Sequence, residues 1–168
     1  MKITDYRKIP QYTRAPSYQV DMPLDFTLDW LKKNEVNMDP DFQRAHVWVE
    51  EQQIRFVEHM FRGGTDGKLI YFNQPGWNRG TTDEMVLVDG KQRLEAVRRF
   101  LQNEIPIFGS LRDEYTTRHD VMMGFRFLVN DLRTRKEVLQ WYIDINAGGV
   151  AHTNEEIEKV RSLLTAER

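Results

Sequence analysis

The stretch Val86-Leu87-Val88-Asp89-Gly90-Lys91-Gln92-Arg93-Leu94 holds the densest chemistry in the chain. An apolar run delivers the backbone to an Asp-Gly turn, and helical spacing begins at once with Leu94, Val97 and Leu101. The first amides of a helix have no partner inside it, and that end carries partial positive charge, so the position suits an anion. Gly90 allows close backbone approach. Lys91 and Arg93 add full positive charges where helix stability alone favours negative ones, at a cost of roughly 0.3–1 kcal/mol each unless something negative sits there. A phosphate answers that mismatch. Asp89, at the end of the apolar run, either holds a divalent cation or caps the helix.

Two further segments carry candidate groups. In Asp39-Pro40-Asp41-Phe42-Gln43-Arg44-Ala45-His46-Val47-Trp48, a Gln-Arg pair lies between aromatics in extended-looking sequence, where a guanidinium can meet a phosphate or a base or be satisfied by carbonyls. In Asp144-Ile145-Asn146-Ala147-Gly148-Gly149-Val150-Ala151-His152, Asn146 ends a helix before a Gly-Gly turn that either presents amides to an anion or only stops the helix. His152 titrates near neutrality and serves either as a general acid/base or as an ordinary residue before the next helix. The histidines at 46, 59, 119 and 152 show no close ligand spacing. Walker-type, Gly-x-Ser-x-Gly and Gly-x-Gly-x-x-Gly patterns are absent.

The elements that must position these groups follow from periodicity. Tyr18–Val20 reads as a short strand. Thr27–Lys33 reads as a short helix, with Thr27 as its cap and Leu28 and Leu31 on one face. Glu50–Arg62 is helical, with Ile54, Val57 and Phe61 in step and Gly63-Gly64 as the stop. Leu69–Asn73 and Met85–Val88 are strands, joined as a hairpin with a long connection or as two strands of one buried sheet. A helix runs from Lys91 to Asn103. Ile105–Phe108 and Phe125–Val129 are strand candidates, and 110–123 is helical or looped. Thr134 and Glu137 form a capping box for a helix carrying Val138, Leu139, Tyr142 and Ile145, and Thr153–Glu156 opens a last helix to about Leu164. The expectation is one α+β domain over 1–168 with an irregular arm at 1–17, a small mixed sheet flanked by helices and a helical C-terminal part.

Composition narrows the function classes. The 168 residues include 24 Lys+Arg against 26 Asp+Glu, a formal charge of −2. Non-specific nucleic-acid binding usually rides on a basic excess, so a DNA-binding module with Lys91, Arg93, Arg98 and Arg99 as its footprint is the weaker alternative. Of the 24 basic residues 16 are Arg, a planar fork for phosphate, although a genomic base-composition bias produces the same skew. Zero cysteines exclude disulfides, a thiolate nucleophile and Cys-ligated metal. The longest aliphatic run, Met85–Val88, is far short of the ~20 residues that cross a bilayer, and Met1–Asp5 lacks an apolar signal core, so the expected location is cytoplasmic with no membrane partner.

Taken in order, the Gln43-Arg44 element with its helix, the Asp89-Gly90-x-Gln92-Arg93 element and Asn146-x-Gly-Gly resemble the N-terminal domain of GmrSD-type modification-dependent restriction enzymes, from about residue 18 to 165. The resemblance implies a ParB/sulfiredoxin-like fold that binds Mg2+ and a nucleoside triphosphate and hydrolyses it to control an attached nuclease. It assigns catalytic roles to Asp89, Arg93 and Arg44, with Asp89 at the metal. Gln43, Gly90, Lys91, Gln92 and Asn146 would contact the nucleotide. Lys91 stands where the family commonly has Gln, and the sequence ends at Arg168 without the nuclease half, so DNA cleavage by this chain alone is not expected. Sulfiredoxin's own thiol chemistry is excluded by the missing cysteine. The expected role is a nucleotide-dependent regulatory switch in restriction or phage–host conflict. The alternatives are the DNA-binding module or an interaction subunit regulating a separately encoded nuclease, with Trp77 at its contact or packed on its own domain.

Overall fold

Alternating apolar residues in four short segments build a sheet that is buried on both faces where helices cover it. The structure is a computed structural model that describes residues 2–5, 8–9, 16–43, 47–80, 83–120, 123–146 and 154–167. Its strands are β1 (Ser17–Pro23), β2 (Leu69–Asn73), β3 (Val86–Asp89) and β4 (Gly124–Asn130). Its α-helices are α1 (Leu24–Lys33), α2 (Glu50–Phe61), α3 (Lys91–Leu101), α4 (Arg135–Asn146) and α5 (Asn154–Ala166). Among the described residues the strands form one mixed sheet in the order β1-β4-β2-β3. β4 runs antiparallel to β1 and parallel to β2, and β2 pairs antiparallel with β3. The two segments read as strands at 69–73 and 85–88 are thus both a hairpin with a long connection and neighbours in one sheet.

The period-2 pattern sends successive side chains to opposite faces. Ile70 and Phe72 of β2, Leu87 of β3 and Phe125, Phe127 and Val129 of β4 join the core beneath α1, α2 and α3. The intervening residues Tyr71, Val86, Val88 and Leu128 meet the second core, built on Val138, Leu139, Trp141 and Tyr142 of α4 with Val160 of α5. Helices therefore flank a small mixed sheet, with the C-terminal pair on one side. The α+β architecture expected from the sequence is the one observed.

Three local expectations are corrected. Helix α1 starts at Leu24, directly after Pro23, and Thr27 is buried in its first turn with its hydroxyl donating to the Pro23 carbonyl at 3.2 Å rather than capping the helix. Proline's preset φ makes it a natural entry to a helix, which moves the boundary ahead of the threonine. Ile105–Phe108 forms no strand. Phe108 (φ 47°) and Gly109 (φ 79°) reverse the chain at once, and Ile107 and Ser110 exchange two backbone hydrogen bonds of 2.9 Å across the turn. Two positive φ values in succession are the signature of a primed hairpin turn. The third is β1, which extends to seven residues because it pairs with β4 along its whole length.

Side-chain amides finish what the strands leave open. At the end of β2 the buried Asn73 donates to the Leu132 carbonyl at 3.1 Å and accepts from the Leu132 amide at 2.8 Å, so it continues the ladder after backbone pairing stops. Thr134 and Glu137 form the expected capping box at α4: the Glu137 amide donates to the Thr134 hydroxyl at 3.2 Å, and the Thr134 amide donates to the Glu137 carboxylate at 3.0 Å. The box expected at Thr153–Glu156 lies outside the described residues and side chains. No described helix is long and apolar enough to cross a membrane. Asn73→Ala leaves a buried amide and a carbonyl unpaired, and is expected to cost about 2–4 kcal/mol, read as a lower urea midpoint at unchanged slope.

Candidate functional site at the turn between β3 and α3

Gly90 is the hinge of the site. Its φ of 115° is closed to ordinary L residues, and a Cβ built there would stand 2.5 Å from Ile70 Cδ1. The turn can therefore press directly onto β2. Helix α3 begins with the Leu94 amide donating to the Gly90 carbonyl at 2.9 Å.

Two glutamines clamp the segment 40–48 onto this turn. Gln43 Nε2 donates to the carbonyls of Leu87 and Val88 at 3.0 and 2.6 Å. The buried Gln92 accepts, through Oε1, the amides of Val47 and Trp48 at 3.0 Å each. Positions 43 and 47–48, which flank Arg44 in the sequence, are thus held by β3 and α3. Arg44 itself, with His46, Gly148, Gly149 and His152, lies outside the described residues.

The two cations at the helix start do not converge. Residues two apart on a helix leave it on different sides. Lys91 reaches Asp39 in an ion pair, whereas Arg93 turns to the entry of β2. Arg93 Nη1 donates to the carbonyls of Gly67 and Leu69 at 2.8 Å each, and Nη2 donates to Asp89 Oδ2 at 2.5 Å. The charge mismatch read from the sequence is therefore met within the chain, by Asp39 and Asp89. The Asp89–Arg93 partnership was visible as a four-residue spacing. Asp39 lies 52 residues from Lys91, and nothing in local sequence pairs them.

Asp89 keeps one oxygen available: among the described residues only Oδ2 accepts a hydrogen bond. Tyr71 lies opposite Asp89 in the β2–β3 register, next to a register shift. Its phenol is pushed above its ordinary range by burial and then by the Asp89 charge, with Arg93 opposing. Asn146, at the end of α4, spends its amide on the Tyr142 carbonyl at 2.7 Å. It joins the other site residues only indirectly, because Tyr142 packs edge-on against Phe42 at 5.4 Å beside Gln43. The cations proposed as a DNA footprint are all paired: Arg98 binds Glu95 and Glu104, and Arg99 binds Glu50 and Glu104. These bonds hold the Glu104 carboxyl below its usual range. Trp77 is a packing anchor, half-buried and edge-on to Tyr18 at 4.8 Å.

A cleft of about 890 Å3 opens on the Lys91 side of the turn, between α1 and α3. Leu28, Leu31, Met38 and Leu94 supply its apolar wall, and Lys32, Lys91 and Arg98 its cations, with Asp29, Asp39 and Glu95 among its carboxylates. Sequence reasoning missed this cleft because its two walls come from helices some sixty residues apart.

The fold and the turn define a class: an α+β domain in which a buried strand passes through an obligatory glycine into a helix whose start borders an open cleft. The family described as GmrSD restriction endonuclease, N-terminal domain, matches residues 27–122, more than half of the chain, and the protein belongs to that family. No curated protein and no solved structure matches. The matched region contains most of α1, the glutamine clamp and the whole β3–α3 turn. Gly90→Ala is expected to lower stability by about 2–4 kcal/mol, from the strained φ and the collision with Ile70. Ile70→Val, which removes the colliding Cδ1, should recover part of that loss in a double-mutant cycle read by denaturant unfolding.

Proposed function

We propose that this restriction-family domain binds a nucleoside triphosphate with Mg2+ at the β3–α3 turn and acts as a nucleotide-dependent switch. The observation that carries the reading is the cleft beside Lys91, which joins an apolar wall to the amide-bearing start of α3. The base and sugar lie along Leu28, Leu31 and Leu94, and the phosphates meet the helix start.

Lys91 is the cation that meets the phosphate in this scheme. Its side chain is mostly buried, whereas its partner Asp39 is largely exposed, so an arriving phosphate would compete with Asp39 for the ammonium. Arg93 is committed to two carbonyls and Asp89, and therefore acts as a positioning residue that fixes the carboxylate. Asp89 does not line the cleft itself but stands two residues before Lys91, and its second oxygen would suit a Mg2+ carried on the phosphates. Such ions need only one or two carboxylates, and among the described residues no group of three or more His, Asp or Glu forms a resident site. When bound, the ion supplies charge neutralisation at the phosphoryl group. Hydrolysis then rests on electrostatic stabilisation by fixed donors. Arg44, between the two clamped positions in the sequence, is assigned to the phosphates, and Gln43, Gly90 and Gln92 hold the geometry. Asn146 is the outermost of the proposed contacts. Occupancy reports to a nuclease, fused or separately encoded, in a cytoplasmic restriction system.

The DNA-binding alternative needs an unbalanced positive surface, and its four footprint cations each face a carboxylate, so the nucleotide reading is the one taken forward. Titrating ATP, GTP and CTP with Mg2+ by calorimetry should reveal saturable binding of at least one nucleotide. Lys91→Ala should weaken it by about tenfold, the equivalent of 1.4 kcal/mol, while leaving the unfolding midpoint within error. Absence of saturable binding for all three, or unchanged affinity in the variant, would overturn the proposal.

A further inference from the structure

A second cavity, of about 510 Å3, lies at the opposite end of α3 from the turn, some 15 Å away by helical rise. The sequence left its far wall, residues 112–119, unassigned. Its floor is aromatic: Phe61 and Phe100 meet edge to face at 5.4 Å, and Tyr115 stands edge-on to Phe100 at 6.5 Å. The Tyr115 hydroxyl is anchored by donating to the Ile107 carbonyl at 2.6 Å, which sets the ring as a fixed wall. His119 closes another side, tilted on Phe61 at 5.9 Å.

The polar groups around this floor are arranged differently from those elsewhere on α3. Asp25 stands between Arg112 and His119 at 3.7 and 3.8 Å, both long contacts, and Arg112 Nη1 also donates to the Leu101 carbonyl at 3.2 Å. Arg118 lines the cavity and has no ion pair or hydrogen bond among the described residues. Two guanidinium groups against one carboxylate give this cavity a local positive excess in a chain of net charge −2. Elsewhere the arginines of α3 are each paired with carboxylates.

Aromatic walls accept a flat ring by edge and face contact, and a cation at the rim orients an anionic substituent. We infer that this cavity is a separate binding site for a small planar aromatic ring bearing an anionic group, with Arg118 meeting the anion and Phe61, Phe100 and Tyr115 enclosing the ring. Phosphate and carboxylate share the chemistry that Arg118 recognises, with phosphate offering the more favourable charge. The site uses none of the residues of the β3–α3 turn, so it stands or falls independently of the nucleotide reading.

An amide NMR titration with four probes tests it: phenyl phosphate and benzoate as ring plus anion, benzyl alcohol as ring alone, and inorganic phosphate as anion alone. At least one of the first two should give saturable shifts at Thr117, Arg118 and His119. The ring alone and the anion alone should each bind about tenfold more weakly, because each makes only half of the contacts. A preference between phenyl phosphate and benzoate identifies which anion the site takes, and either preference supports it. Arg118→Ala, which removes no contact seen in the fold, should weaken binding at least fivefold with the remaining spectrum unchanged, whereas Lys91→Ala should leave it intact. No saturable shift with any probe, inorganic phosphate matching phenyl phosphate, or indifference to Arg118→Ala would overturn the assignment.

Discussion

The contact on which the site depends is the seating of Gly90 against Ile70, with Arg93 bolting the same turn to the carbonyls of Gly67 and Leu69. A side chain at position 90 would push β3 away from β2, and the carbonyls at the entry of β2 would lose their guanidinium. Because Arg93 also holds Asp89, one half-buried cation sets the strand entry, the helix start and the orientation of the carboxylate together. Removing it would leave a partly buried carboxylate and two carbonyls to be resolvated, which explains why a positive charge is tolerated where the helix dipole disfavours one.

Amide side chains give the site its second level of order. Gln43 donates into the end of β3 and Gln92 accepts from the amides of Val47 and Trp48, so positions 43 and 47–48 are both tied to the turn. A glutamine suits this work because it pairs with backbone groups in either sense without bringing a charge into the interior. The same logic appears at Asn73, which extends the β2 ladder to Leu132. The motif residues thus serve structure directly, and any ligand contact they make is added to that role.

Much of the architecture was legible because burial periodicity is a local property. Leu69–Asn73 and the helices beginning at Glu50 and Lys91 emerged where alternating or 3.6-residue spacing placed them, and the Thr134–Glu137 box opened α4 as its spacing required. The misplacements have local causes as well. Thr27 looked like a cap because its hydroxyl is of the right type, but Pro23 starts the helix four residues earlier. Ile105–Phe108 is apolar enough for a strand, yet Phe108 and Gly109 both take positive φ and fold it into a turn. Of the candidate site, Asp89, Gly90, Gln92, Arg93 and Gln43 do gather in one place. Asn146 is connected only through Tyr142 and Phe42.

What the amino-acid order determined by itself was the set of elements and the unusual helix start, since spacing, turn residues and charge type act over a few positions. Only the tertiary structure decided what those charges do. Lys91 and Arg93 depart from the helix on different sides, their carboxylates come from positions 39 and 89, and the two cavities, one along α3 and one at its C-terminal end, are walled by residues distant in the chain. Ion pairs and cavities depend on which surfaces the folded chain brings within a few ångströms, and that proximity is a property of packing with no signature in local sequence.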